Sequence, residues 1–522
     1  MSRRDDIVRY LSDPGYTPAR TDLTLLVRML PELSEQQAKQ AQRVLVRAGW
    51  PAAAVVIAEL EATQNPELVA LLGRFAAVQP DARLRSPLIA ALQATSARGR
   101  RLAATALGKL GDGSAEEALL AAFAAAPLDL ARAIAEALGK LGSERALAAL
   151  TARDDGDPEF TRRKHQARLL IERRLGRDQR SEIALNAPLP APVTLRVACR
   201  RGLSRLVADE LSNFGASVKS DSCVELRHAG TLGALLVSRS ALSFGFALGN
   251  AGPVSERPRR IAELLSAPDT RAAILAWTRG RPRFRLDWVE RGHQRAASWA
   301  VARELSELES ALVNDPRNAS WVLEIGSEPE APLRLRPVLE PDPRFSYRCR
   351  DVPAASHPTI AAALARTAGV DANDVVWDPF VGSGLELVER GLLGPYRKLV
   401  GSDLDARALS AAHENLRAAN LGEFELVESD VRRAAVKDVT LIISNPPMGR
   451  RVARDGSLAS LLEAFIDRVA ATLVAHGRAV FLSPLPARTE AWARARGLTC
   501  TRGPSVDLGG FDAEIQVIRR QR

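Results

Sequence analysis

The sequence predicts three folds in series: an all-α stack of helical repeats, a mixed α+β region, and a doubly wound α/β domain. Three observations lead there. The hexapeptide Ala106-Leu-Gly-Lys-Leu-Gly111 returns 31 residues on, as Ala137-Leu-Gly-Lys-Leu-Gly142. Residues 178–193 (RDQRSEIALNAPLPAP) lose helical periodicity and gain proline, as a linker does. From about residue 357, apolar runs alternate with helical patterns in a strand–helix rhythm. A chain of 522 residues also exceeds what one hydrophobic core serves.

Residues 1–185 read as helices, rich in alanine and leucine and broken by short Gly, Pro or Asp turns. Leu72-Gly73-Arg74-Phe75 is a degenerate earlier copy of the repeat. A helix–turn–helix unit cannot bury its apolar face alone, so neighbouring units stack into a solenoid. An Ala-rich helical bundle is the alternative. The pattern resembles HEAT-like repeats, which implies a binding arm for RNA, a protein or the ribosome.

Residues 194–340 mix strands and helices. TLRVACRRGL reads as a strand and turn, LSRLVADELSNFG as an amphipathic helix, and ASVKSDSCVELRHAG as a hairpin. TLGALLVSRSALSFGFAL reads as a helix followed by a strand. PRFRLDWVERG and ASWVLEIG are further strands, with the helix SWAVARELSELESALV between them.

Residues 344–522 make up the doubly wound α/β region. VVWDPF, KLVGSDLD, EFELVESDV, LIISNPP and GRAVFLSPLP are the predicted strands, and TIAAALARTAG, ARALSAAHENLRAANL and SLLEAFIDRVAATLVAHG the predicted helices. Ligands of such a sheet bind at the carboxyl ends of its strands, where the distinctive residues of this region fall. The first strand runs into Asp378-Pro379-Phe380-Val381-Gly382-Ser383-Gly384, whose glycines admit close backbone approach to a ligand. The loop lacks the Lys-Ser/Thr of a triphosphate-binding loop. The second strand ends at Asp403, placed to accept from a ribose diol. NAD and S-adenosylmethionine both carry one. The third ends at Asp430, a candidate acceptor for an adenine amino group, and the fourth at Asn445-Pro446-Pro447-Met448.

An aromatic amino group is a weak nucleophile because its lone pair is delocalised. Acceptors on its N–H bonds turn that lone pair outward. The resemblance of this motif to methyltransferases acting on exocyclic amino groups implies that Asn445 Oδ1 and the Pro446 carbonyl are that pair, with proline fixing the backbone. Such a centre works by positioning and electrostatics rather than by a strong base.

These four motifs, in this order, resemble class I S-adenosylmethionine-dependent methyltransferases acting on exocyclic amino groups, with a Rossmann-like domain. The resemblance implies S-adenosylmethionine as cofactor, held by Asp378, Pro379, Phe380, Gly382, Gly384, Asp403, Asp430 and Asn445. His357 and Pro358 resemble the segment beside the methionine moiety, though they also suit a helix start. Residues 194–248 resemble the ferredoxin-like part of THUMP-containing RNA methyltransferases, and residues 284–298 and 312–326 the THUMP module. Together these imply N2-methylation of guanosine in tRNA or rRNA. The family places an aromatic residue where this chain has Met448, which keeps open an RNA-binding scaffold with an impaired enzyme domain. DNA adenine and protein glutamine remain chemically allowed substrates.

The net charge of +10 suits a polyanionic partner. Arg291, Arg295, Arg348, Arg450 and Arg451 are the candidate RNA contacts. Four scattered cysteines and six dispersed histidines favour neither a disulfide framework nor a metal site. No long apolar run or leader-like start is present, so a cytoplasmic, non-membrane protein is expected.

Overall fold

The computed structural model describes residues 3–13, 15–176, 181–289, 294–308, 311–326, 332–353, 355–449 and 457–520. The chain forms two compact units: Met1–Arg180 with Ser255–Glu263 and Gln294–Arg317, and Ser181–Val254 with Leu264–His293 and Asn318–Arg522.

The first unit is helical, and its repeated glycines explain its stacking. Helices Pro66–Val78, Ala97–Leu110, Leu128–Leu141 and Pro158–Leu175 pack in succession. A Cβ on Gly73 would stand 3.2 Å from Ala106 Cβ, one on Gly108 2.8 Å from Ala137 Cα, and one on Gly139 2.8 Å from Ala167 Cα. Each repeat therefore sets a glycine against the next repeat's alanine, and the helix backbones approach closely. Arg132 and Asp157 bridge adjacent repeats at 2.7 Å, and Asp157 also caps its own helix through the Phe160 N–H. Segments 255–263 and 294–317, assigned by sequence to the middle region, group with this unit. There helix Arg295–Glu307 packs on Pro158–Leu175, with the Arg173 guanidinium 4.8 Å from the Trp299 ring.

The second unit holds two sheets that bear on the site. One runs in the order Ser217–Ser220, Cys223–His228, Val193–Ala198, Ser243–Asn250, Pro332–Pro337, Trp321–Ile325, Arg283–Trp288. The hairpin expected at 216–230 forms, whereas the helix expected before Ser243 is a single turn, Leu232–Leu235. The Pro-rich stretch is not a free linker. Ser181–Ile183 pairs antiparallel with Thr278–Gly280, and Pro188 bridges Thr231, because a sheet edge accepts residues that a central strand rejects.

The other sheet carries the candidate site. Its strands are β1 (Val375–Asp378), β2 (Lys398–Asp403), β3 (Phe424–Glu428), β4 (Val439–Ser444), β5 (Leu473–Ser483), β6 (Leu498–Asp507) and β7 (Asp512–Arg520). Its helices are α1 (Pro358–Ala368), α2 (Leu385–Leu393), α3 (Ala406–Ala418), α4 (Ser457–Thr472) and α5 (Pro486–Ala495). The strand order is β3-β2-β1-β4-β5-β7-β6, with β1 to β5 parallel and the β6–β7 hairpin antiparallel at the edge. Chain order reverses between β1 and β4, the switch point at which such sheets bind ligands. The helix predicted over SLLEAFIDRVAATLVAHG ends earlier, at Thr472. Leu473 already pairs with Val439, and His476, in the left-handed region, lies within β5 at a shift in its pairing register. Trp377, Ile442, Phe465 and Phe481 fill the core on one face of the sheet.

Candidate active site

The carboxyl ends of β1 and β4 are tied together below the site. Ser444, the last residue of β4, donates through Oγ to Asp378 Oδ1 at 2.7 Å, and the Phe380 N–H donates to the same oxygen at 3.1 Å. Asp378 is fully buried, and its Oδ2 has no hydrogen-bond partner among the described residues. Burial raises its pKa well above the carboxylate range, and the charge of Glu386 adds to this against the pull of Ser444 and Phe380.

The glycine loop turns from β1 into α2. Gly382 and Gly384 both have positive φ, 50° and 82°. A Cβ on Gly384 would press on Ala412 of α3 at 3.1 Å, so this glycine is needed for packing. A Cβ on Gly382 would find only the Phe380 carbonyl, at 3.9 Å, and otherwise enter open space. The Gly382 N–H donates to Asp403 Oδ2 at 2.9 Å, and Asp405 N–H to Asp403 Oδ1 at 3.0 Å. These two bonds orient the half-buried Asp403 carboxylate at the end of β2, and each oxygen retains a lone pair for a hydroxyl. Asp430 starts a turn just after β3, accepting from the Arg432 N–H at 2.8 Å and its guanidinium at 3.1 Å. Phe380 is half-buried against Phe465, with ring centroids 5.8 Å apart. Pro379 is buried beside it in sequence.

His357 serves as the N-cap of α1: its Nδ1 accepts from the Thr359 N–H at 3.3 Å, and buried Pro358 occupies the first helical position. The residue as a whole is exposed, yet its ring lies against protein atoms. That desolvation, followed by the charges of Arg200, Arg348 and Arg344, lowers its pKa to about 4 and keeps it neutral near pH 7.

Asn445 follows β4 directly. Its Nδ2 donates to Ser356 Oγ at 2.8 Å, and Ser356 Oγ in turn donates to Glu386. Asn445 Oδ1 is buried and has no hydrogen-bond partner among the described residues. Pro446 is buried, whereas Pro447 and Met448 are partly open. Gly449, at φ 82°, turns the chain back so closely that a Cβ would meet Leu458 at 2.7 Å. Glu386 is buried in the first turn of α2, and desolvation raises its pKa to about 7 despite the Ser356 hydrogen bond.

Sequence reasoning missed Ser356, Glu386 and Asn415. Asn415 lies inside α3, fully buried, and holds the segment before α1 against the glycine loop. It accepts from the N–H groups of Cys349 and Arg350 at 3.0 Å and donates to the Ser383 and Arg350 carbonyls at 2.8 Å. An asparagine among alanines and leucines in a helix interior was the available signal. Of the arginines, Arg348 lies in the segment before α1, paired with Asp351 at 2.5 Å. Arg295 is exposed at the start of helix Arg295–Glu307, in the first unit. Arg291, Arg450 and Arg451 lie outside the described residues.

Residues 346–512 match the family model described as RMKL-like, methyltransferase domain, and residues 85–170 match HEAT repeats. The tRNA (guanine(6)-N2)-methyltransferase of Thermus thermophilus is 31% identical over 191 residues, 36% of this chain and 55% of that protein. The tRNA (guanine(10)-N2)-dimethyltransferase of Methanothermobacter thermautotrophicus is 31% identical over 134 residues, 25% of this chain and 39% of that protein. The U6 snRNA (guanine-N(2))-methyltransferase THUMPD2 of Bos taurus is 35% identical over 121 residues, 22% of this chain and 24% of that protein. The chain thus spans well under two thirds of the length of these relatives. The crystal structure of TrmN from Thermus thermophilus superposes with a TM-score of 0.50 at 24% identity, over 63% of this chain and 99% of that one, a likeness of fold. The C-terminal part of the chain is a methyltransferase domain of the RMKL-like kind, preceded in the sequence by HEAT repeats.

Proposed function

We propose that the chain is an S-adenosylmethionine-dependent RNA methyltransferase that modifies the N2 amino group of guanosine in tRNA or rRNA. One observation carries the reading: Asn445 presents a buried amide oxygen that has no partner among the described residues, immediately after the strand beside the glycine loop. A buried acceptor left unmade costs about 1–3 kcal/mol. An N–H of an incoming amino group satisfies it, and the Pro446 carbonyl is the second acceptor. The named relatives that act on guanine N2 support this choice over adenine or glutamine.

The residues present fit the cofactor. The open space at Gly382, the oriented Asp403 carboxylate and Asp430 would hold its ribose and adenine, with Phe380 and the His357–Pro358 segment alongside. S-adenosylmethionine supplies a methyl group already activated on a cationic sulfur. Asn445 and Pro446 then have two tasks. They hold the acceptor nitrogen with its lone pair toward the methyl carbon, and they stabilise the positive charge that develops on that nitrogen. When bound, the cofactor would give up its methyl group to that nitrogen and keep the electron pair of the broken bond, and the proton released by the nitrogen would pass to water. No side chain needs to act as a strong base.

We further assign RNA docking by shape to a THUMP-like module in the middle region, with Arg295 and Arg348 as contacts, and a protein or ribosomal partner to the HEAT repeats. A cytoplasmic location goes with these partners. No helix among the described residues is long and apolar enough to cross a membrane. The test is tritium transfer from labelled cofactor to hypomodified tRNA, rRNA, DNA and protein acceptors. Label in RNA as N2-methylguanosine is expected. Asn445→Ala should lower kcat by about a hundredfold to a thousandfold while leaving cofactor affinity intact. Transfer to DNA or protein alone refutes the reading.

A further inference from the structure

An asparagine amide has two orientations of nearly equal shape, and only one turns its oxygen toward an incoming N–H. We propose that Ser356 and Glu386 are positioning residues, a relay that fixes the Asn445 amide with Oδ1 facing the acceptor nitrogen. The inference rests on reading the site as an amino-group methyltransferase and names what makes its acceptor competent.

The argument follows one proton. Ser356 has a single hydroxyl hydrogen, and it goes to Glu386. Its Oγ therefore meets Asn445 with a lone pair, which only the amide NH2 can match, at 2.8 Å. The charge on Glu386 thus sets which end of Asn445 points away from Ser356. The relay joins the start of α1, the first turn of α2 and the end of β4, residues separated by 30 and 89 positions in the chain. Glu386 follows the Gly384 cap closely, where the helix N-terminus favours a negative charge. A carboxylate there is costly to bury, and Ser356 is the hydrogen-bonding side chain it holds.

The relay also has an off state. A protonated Glu386 can donate to Ser356 Oγ, which frees the serine hydrogen to point at Asn445 and reverses the preferred amide orientation. The charged and titratable groups facing Glu386 are Asp378 at the end of β1, Glu389 one turn along α2 and Tyr347 in the segment before α1. Glu389 is itself held by Arg239 at 2.6 Å and by the Tyr347 hydroxyl at 2.5 Å. Burial raises Glu386, so kcat should fall as pH drops below about 7.

Full-length protein, hypomodified RNA and labelled cofactor provide the test. Ser356→Ala should lower kcat by about tenfold to a hundredfold, with cofactor Kd unchanged and Ser356→Thr restoring most of the loss. Glu386→Gln cannot titrate, and should show a lower kcat whose acid limb has disappeared. Wild-type kcat in Ser356→Ala overturns the relay, as does an unchanged acid limb in Glu386→Gln. Cofactor binding by each variant reports that it is folded. Failure of the wild-type protein to label any RNA overturns the underlying reading. RNA labelling that depends on Asn445 but not on Ser356 overturns the relay alone.

Discussion

Asp374 precedes β1 and Asp378 ends it, both inaccessible to solvent, yet they live in opposite circumstances. Asp374, just before β1, is fully satisfied. It accepts from Arg390 at 2.7 Å, from Arg478 at 2.8 and 3.0 Å, from Thr440 at 2.8 Å, and its backbone carbonyl takes the Arg397 and Lys398 N–H groups. Asp378, at the far end, keeps one oxygen without a partner among the described residues, as does Asn445 after β4. Burial alone would raise both pKa values. At Asp374 the hydrogen bonds from Arg478, Arg390 and Thr440 outweigh it and hold the carboxylate below its usual range, whereas at Asp378 burial wins. The strand's amino end spends its polar groups on stability, and its carboxyl end leaves them available to a ligand.

Asp374→Ala is the severest way to break this contrast. It strands the fully buried Arg390, and removing one partner of a buried pair costs about 3–5 kcal/mol. Urea unfolding should record that loss, whereas any surviving folded fraction should bind cofactor normally. The pH dependence has a definite sign. The folded pKa of Asp374 lies below the unfolded one, so its contribution is present above pH 4 and disappears as pH falls through the folded value. The variant should therefore lose part of the wild-type acid-unfolding dependence.

At the carboxyl end the next effect is smaller and of another kind. Asp403→Ala removes a charged acceptor for the ribose diol, a hydrogen bond worth about 1.5–3 kcal/mol. Calorimetry should show cofactor Kd rising roughly tenfold to a hundredfold. The same substitution also frees the Gly382 N–H, so part of the loss is disorder of the loop. Asp403→Asn, which keeps an acceptor for that N–H, should recover that part.

What was legible in the sequence follows the same division. The placement of Asp378, Gly382, Gly384, Asp403, Asp430 and Asn445 at or just after strand ends was readable because each lies inside a short local motif. The repeat glycines were readable by period, and their physical reason, the approach to Ala106, Ala137 and Ala167, needed coordinates. The Ser356–Glu386–Asn445 chain was invisible, since it joins three separated segments, and Glu386 sits in an ordinary amphipathic helix. The end of α4 was misread because LVAHG continues a helical apolar pattern, while pairing with β4 claims it for the sheet. The edge hairpin β6–β7 was overlooked because Gly503, Pro504, Gly509 and Gly510 interrupt its apolar alternation. The assignment of 294–317 failed for the reason solenoids are hard to delimit: a helix joins whichever stack offers its apolar face a partner.

Met448 gives the smallest effect and the finest test of the ligand end. It is half-exposed directly after Pro447, where a base held by Asn445 and Pro446 would meet it. A thioether on an aromatic face contributes about 0.3–1.5 kcal/mol, and a stacked aromatic ring about 1–3 kcal/mol. Met448→Tyr should therefore strengthen RNA binding by about 1 kcal/mol, a roughly fivefold fall in KM, with kcat and cofactor Kd unchanged. Initial rates against RNA concentration separate the terms. A fall in KM alone places the side chain at the base and identifies methionine as a weaker grip on a working site. A rise in kcat instead assigns residue 448 to alignment of the reacting nitrogen, and an unchanged KM removes it from the base pocket.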